Sequence, residues 1–176
     1  MIQPHLSGDY LEFVVIVGKA HFRLHQHGSR QVIRADAIDE GMNTMKLERV
    51  ITTPDNYAPF LLSQGIRFGD LLFISGQAGA GDDGKIVPGG FCEQGRQAFA
   101  NLRRALEAGG SSLDDVIKVT IFVTDMGDFK EVVALRREFF SEPYPADTIA
   151  EVKALYDPKV MIEIEAIAAV RAGEVQ

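Results

Sequence analysis

The sequence is poor in residues that staple, ligate or titrate near neutrality. Cys92 is the only cysteine among 176 residues, which excludes an intrachain disulfide and a multi-cysteine zinc site. Histidine is missing from most of the chain. All four (His5, His21, His25 and His27) lie in the first 27 residues. From Met45 onward there is therefore no Ser-His or Cys-His pair, no histidine general base and no histidine metal ligand. Acid–base chemistry there falls to Asp, Glu, Lys, Tyr, Cys or bound water. The apolar run near the N-terminus, Phe13–Val17, is only five residues long and is followed by Lys19, His21 and Arg23. It is too short to cross a bilayer or to serve as a usual signal-peptide core. The expectation is a cytoplasmic protein without membrane contact. Basic charge is also scarce. The formal net charge is −7, and residues 45–176 carry 14 Lys and Arg against 20 Asp and Glu. An acidic domain without a basic run is poorly suited to phosphate backbones, so no nucleic-acid partner is expected.

What is present is an ordinary globular balance, 46% apolar and 24% charged, in a length that suits one domain plus some excess. The excess is expected at residues 1–44, an N-terminal extension peripheral to the core. That segment holds one β-like run, Phe13–Val17, and then the mixed stretch His21–Arg34. His21, His25 and His27 are spaced closely enough to suggest a metal site, although a polar tail accounts for them as well. Met42 and Met45 both suit a chain start, so the upstream residues also fit a leader that the cellular protein lacks.

Residues 45–176 read as one α+β domain. Leu47–Ile51 is expected as a strand. Gly69–Gly76 has turn residues at its ends and an apolar centre, which predicts a second. Five glycines with Asp82, Asp83 and Pro88 between Gly79 and Gly90 mark a turn-rich hairpin or loop, without the Gly-Lys-Ser/Thr of a phosphate cradle. Apolar residues at helical spacing predict a helix over Phe91–Ala108, ended by Gly109 and Gly110. Val116–Val123 alternates as a half-buried strand. Asp128 followed by Glu131 suggests a capping box opening a second helix to about Phe140, with Phe129, Val132, Val133, Arg136 and Phe140 along one side. Pro143 and Pro145 stop it. Strands at Thr148–Ala154 and Val160–Val170 complete the order, and both helices are expected on one sheet face. In the last strand Glu163 and Glu165 share the face opposite Ile162 and Ile164. That face is either simply wet or holds a carboxylate that positions a water. Ser75 cannot be a triad serine without histidine and suits a strand-end hydroxyl bonding the backbone. Cys92 suits packing better than reactivity.

Taken in order, these segments resemble a known family. Ser75-Gly76-Gln77, then Gln94 to Leu102, Leu106 to Gly109, Asp114 to Val123, Asp125 to Phe129, Phe139-Phe140, Pro145-Ala146 and Ile162 to Ala168 are similar to the RidA (YjgF) family. The resemblance spans essentially residues 45–171. It implies a chorismate-mutase-like mixed sheet with two helices on one face, assembled as a homotrimer with a barrel-like centre. It implies a small-molecule ligand in the clefts between subunits, no cofactor and no metal. The implied activity is hydrolysis of reactive enamines and imines such as 2-aminoacrylate to a 2-keto acid and ammonia. By the resemblance the catalytic carboxylate is Glu163. Ser75, Thr148, Ile149, Val133 and Phe60 or Tyr57 are implied at the substrate.

One position departs from the pattern. Where the family carries a carboxylate-binding arginine after Pro-Ala, this chain has Asp147. Losing one member of a buried charge pair costs roughly 2–5 kcal/mol, and an aspartate adds repulsion. The departure leaves three readings: a deaminase with altered substrate preference, in which Asp147 and Glu163 act as paired carboxylates; a non-catalytic metabolite-binding trimer; and, against the charge balance, RNA cleavage. Arg67, Arg137 and Lys153 are basic residues that a neighbouring subunit offers as replacements.

Overall fold

The computed structural model describes residues 46–170, together with the strands formed by 5–7, 10–17, 20–27 and 30–32. The chain divides into two compact units, Met1–Thr44 and Met45–Gln176. In the first, β1 (His5–Ser7), β2 (Tyr10–Val17), β3 (Ala20–His27) and β4 (Arg30–Val32) pair in sequence as an antiparallel meander. The sequence suggested a single β-like run here, so three of these strands escape its apolar pattern. The His21, His25 and His27 side chains lie outside the described residues.

The second unit is a six-stranded mixed sheet in the order β5-β6-β7-β10-β8-β9. Its strands are β5 (Leu47–Val50), β6 (Gly65–Phe68), β7 (Leu71–Ala78), β8 (Val116–Val123), β9 (Ala146–Glu151) and β10 (Ile162–Ala169). All neighbours are antiparallel except β8 and β9, which run parallel from Lys118↔Ala146 to Val123↔Glu151. The four-residue strand β6 was not anticipated, because its single short apolar stretch has too few residues to show a period. Strand β9 begins two residues earlier than the sequence suggests and ends three earlier. Parallel pairing with β8 starts as soon as Pro145 is passed.

Helices α1 (Phe91–Ala108) and α2 (Phe129–Phe139) cover one face of this sheet. Phe99, Leu102 and Leu106 of α1 are fully buried against Leu72, Val119, Ile121, Ile162 and Ile164. The alternation in β8 and β10 is what the core requires: one residue in two points at the helices. Gly95 permits the approach of the two helices, since a Cβ there would lie 2.3 Å from Leu135 Cδ1. Phe99 stacks on Phe139 with ring centroids 4.5 Å apart and meets Phe140 edge-on at 5.4 Å, contacts worth about 0.5–1.5 kcal/mol each beyond burial.

The capping expectations need one correction. Asp128 makes no side-chain cap to α2. Asp125 instead accepts from Gly127 N at 2.7 Å and opens a 3-10 turn, Met126–Asp128, ahead of the helix. The Met126 N–H donates to Glu151 of β9 at 2.8 Å. At α1 the reciprocal half of a capping box is present: Glu93 accepts from Gly90 N at 3.0 Å.

Among the described residues no helix is long and apolar enough to cross a membrane.

Candidate active site

The sheet face away from the helices carries the chemistry of β7 and β10. Ile164 pairs with Gln77 and Ala166 with Ile74, so Glu165 stands opposite two residues, Ser75 and Gly76. This β-bulge turns both of them toward the open face and re-aims the end of β7. Glu163, two residues before Glu165, points to the same face. Its carboxylate lies flat over Gly76, where a Cβ would sit 1.9 Å from Glu163 Oε1. Glycine leaves the space that the carboxylate occupies, and the bulge and the carboxylate form one feature.

Two tyrosines lie near enough to feel the same carboxylate. Tyr57 donates its hydroxyl to the Gly76 carbonyl. It is held by a turn that Asp55 organises, accepting from Tyr57 N and Ala58 N at 3.1 Å each while pairing with Arg49 at 2.7 Å. Tyr156 approaches from the loop between β9 and β10. Gln94 of α1 ties down the end of that loop, donating to the Lys159 carbonyl at 2.9 Å and accepting from Met161 N at 2.9 Å. Burial raises the Glu163 carboxyl above the usual carboxylate range, and the Glu165 charge adds to this. Burial first, then the Glu163 charge, pushes both tyrosine phenols up, so they remain protonated near it.

The other candidates divide between the faces. Ser75 is on the open face, but its hydroxyl donates to the Ser63 carbonyl at 2.8 Å. Thr148 is on the open face too and accepts from Lys118 Nζ at 3.0 Å. An open pocket of about 340 Å³ on this face is lined by Phe73, Ser75, Lys118, Thr120, Glu165 and Ile167, among others. Asp147 and Ile149 face the helices, because they pair in register with the inward residues Val119 and Ile121. There Asp147 Oδ2 receives Arg136 Nε of α2 at 2.6 Å, with the two side chains only 20% and 22% exposed. Both line a pocket of about 360 Å³ with Phe129, Phe140, Tyr144, Pro145 and Ile149. Val133 is not in that lining and is 36% exposed, and Phe60 is 74% exposed.

One expectation is therefore narrowed and one corrected. Asp147 and Glu163 cannot act as a close pair within one protomer, since they project from opposite faces of the sheet. And Asp147 is no unopposed charge: Arg136, adjacent to the candidate Arg137, neutralises it. Helical spacing already grouped Arg136 with Phe129 and Phe140 in the sequence, but its partner lies across a β–α contact that spacing cannot show. Tyr156 and the Gly76 bulge were missed for the same reason. Of the alternatives Phe60 and Tyr57, it is Tyr57 that bonds the Gly76 carbonyl.

Comparison with known proteins places this architecture. The family model for Endoribonuclease L-PSP matches residues 51–170. The chain belongs to this family, the one to which the RidA (YjgF) resemblance pointed. A RutC family protein of Pyrococcus horikoshii is 47% identical over 108 residues, covering 60% of this chain and 84% of its own length. A 2-iminobutanoate/2-iminopropanoate deaminase of Dermatophagoides farinae is 35% identical over 126 residues, covering 70% of this chain and 97% of its own length. The crystal structure of the yeast protein YEO7 superimposes with a TM-score of 0.68 at 36% identity, covering 72% of this chain and all of that one.

Proposed function

We propose that this protein hydrolyses reactive enamine or imine metabolites to a carbonyl product and ammonia, with a substrate preference altered at Asp147, and works as a homotrimer with its ligand in the clefts between subunits. The observation that carries the reading is the Glu163 carboxylate: half-buried, raised in pKa, laid over Gly76 and flanked by two protonated tyrosines. The enamine first tautomerises to the imine. Water then adds to the imine carbon, its oxygen bonding the carbon while Glu163 takes its proton. Glu163 passes that proton to nitrogen, giving the carbinolamine; it then carries the hydroxyl proton to nitrogen as well, so that the C–N bond breaks, the carbonyl forms and neutral ammonia leaves. Similarity to iminobutanoate/iminopropanoate deaminases supports the reaction class. RNA cleavage, the activity in the family model's description, has weaker support, since residues 45–176 offer no histidine and a charge of −6.

Assembly is supported by the face the helices leave open. Phe73, Ile117, Leu71 and Phe68 are 42%, 50%, 39% and 37% exposed on or beside it, more apolar surface than a single sheet face leaves in water without a partner. Because Glu163 and the Arg136–Asp147 pocket occupy opposite faces, only a second copy can bring them to one ligand.

The test generates 2-iminopropanoate in situ and follows pyruvate and ammonia formation above the buffer rate, for the wild type and Glu163→Gln. A drop of about 100-fold or more in the variant is expected for a missing general base. Decay of every imine at the buffer rate, with the trimer intact, removes the hydrolytic reading. Tight metabolite binding would then support a non-catalytic binding trimer, a reading that the internally neutralised Asp147 favours.

A further inference from the structure

The pocket between α2 and the edge strand β9 has an ion pair at its base and apolar walls. A guanidinium presents five N–H donors in one plane. The contact to Asp147 runs from Nε alone, to one carboxylate oxygen, at 2.6 Å. Among the described residues neither Nη of Arg136 has another bonded acceptor, and the second oxygen of Asp147 has no bonded donor. A planar fork gripped through Nε still offers its Nη edge to a carboxylate. The pair thus fixes a donor edge and an acceptor oxygen side by side, with Phe129, Phe140, Tyr144 and Ile149 around them.

A bare monocarboxylate suits this arrangement badly, since its contact with Arg136 brings it up against Asp147. A ligand carrying a cation one bond from its carboxylate-bearing carbon suits it well. We propose that Arg136 and Asp147 form a subsite for small zwitterions, namely α-amino acids and protonated α-imino acids. The ligand carboxylate takes the Nη edge of Arg136, and its cationic nitrogen takes the free oxygen of Asp147. Asp147 is then the residue that sets specificity, selecting the nitrogen cation and orienting the arginine. Hydrolysis exchanges that nitrogen for a neutral carbonyl, so the 2-keto acid product loses one of its two anchors and dissociates. The part of this concerning imino acids rests on the hydrolytic reading; zwitterion binding does not.

Stable probes separate the two. Alanine and propanoate share a carboxylate and a three-carbon frame, and only alanine carries the cation. Titration of each into the full chain is followed by NMR shifts of α2 and β9 amides. Alanine is expected to bind roughly 10- to 100-fold more tightly than propanoate, the range of one charge-assisted bond. Arg136→Gln is expected to remove binding of both. Asp147→Asn keeps the volume and a hydrogen-bonding side chain, and is expected to abolish the preference while leaving propanoate bound. Equal affinities for the two probes, alanine binding unchanged in Arg136→Gln, or no alanine binding by the wild type would each overturn the subsite. Binding of alanine by a protein that hydrolyses no imine upholds the subsite and ends the hydrolytic reading. Hydrolysis without discrimination between the probes does the reverse.

Discussion

Replacing Gly76 by alanine puts one methyl group where the Glu163 carboxylate rests. The backbone at Gly76 is not in the left-handed region, since the glycines of positive φ are 69, 84, 89 and 110. Alanine is therefore tolerated by the chain itself and removes some unfolded-state freedom, which stabilises by about 0.4–1 kcal/mol. Its Cβ would lie 1.9, 2.7 and 2.9 Å from Glu163 Oε1, Cδ and Cγ. Ordinary contact begins near 3.4 Å, so the carboxylate must move by about 1.5 Å. A side chain can do this by rotating at a cost of about 0.5–1.5 kcal/mol. The two effects nearly cancel, and the melting temperature is expected to change by only a few degrees. Catalysis does not share that tolerance. Misplacement of a reacting group by about 1 Å costs on the order of 100-fold, which is about 2.7 kcal/mol of barrier. The expected result for Gly76→Ala is a folded protein with kcat/KM for 2-iminopropanoate reduced at least about 100-fold. Circular dichroism and thermal melting establish the fold, and initial rates of ammonia release give the activity. A variant with wild-type kcat/KM would refute the assignment of Glu163, because the carboxylate cannot remain where it is.

Four further outcomes follow from the same geometry. The raised Glu163 pKa means that activity requiring its carboxylate form falls as pH drops through that value, and the acidic limb of the pH–rate profile should vanish in Glu163→Gln. The same shift makes the folded state hold the proton more tightly than the unfolded chain, so Glu163 costs stability once pH exceeds its folded value and costs none below the ordinary glutamate value. Glu163→Gln should therefore melt higher than wild type at pH 8 and lose that advantage near pH 4. Gln94→Ala strips the Lys159 carbonyl and Met161 N–H of their partner; a loss of about 2–4 kcal/mol in denaturant unfolding is expected, with activity falling as the Tyr156 loop loosens. Phe73→Asp on the open sheet face should convert the assembly to monomers in light scattering, while the six-stranded domain keeps its far-ultraviolet spectrum.

Much of the fold was legible because its signals are local. Val116–Val123 announces itself by alternation, broken in the structure only at Ile117–Lys118, and Phe91–Ala108 by helical spacing closed with Gly109, and both appear at those limits. β6 was invisible, as four residues carry too little period to distinguish a strand from a loop. The α2 start falls where the sequence put it, with Asp128 at the N-cap, but the expected side-chain cap is absent: Asp125 makes the turn's side-chain bond instead, and Glu151 of β9 holds the Met126 amide.

The site separates along the same line. The sequence by itself determined that proton chemistry after Met45 falls to Asp, Glu, Lys, Tyr, Cys or bound water, since it contains no histidine there, and its family resemblance singled out Glu163 and Asp147 as the candidate carboxylates. Tertiary structure alone decided their relation. Strand pairing assigns each residue to a face by parity, and parity puts Glu163 over the Gly76 bulge and Asp147 under α2. Register is a property of two strands together, and the Arg136–Asp147 pair is a property of a helix packed on a sheet edge. A charge change that reads in one dimension as a lost arginine is, in three, an ion pair whose cation comes from the neighbouring helix.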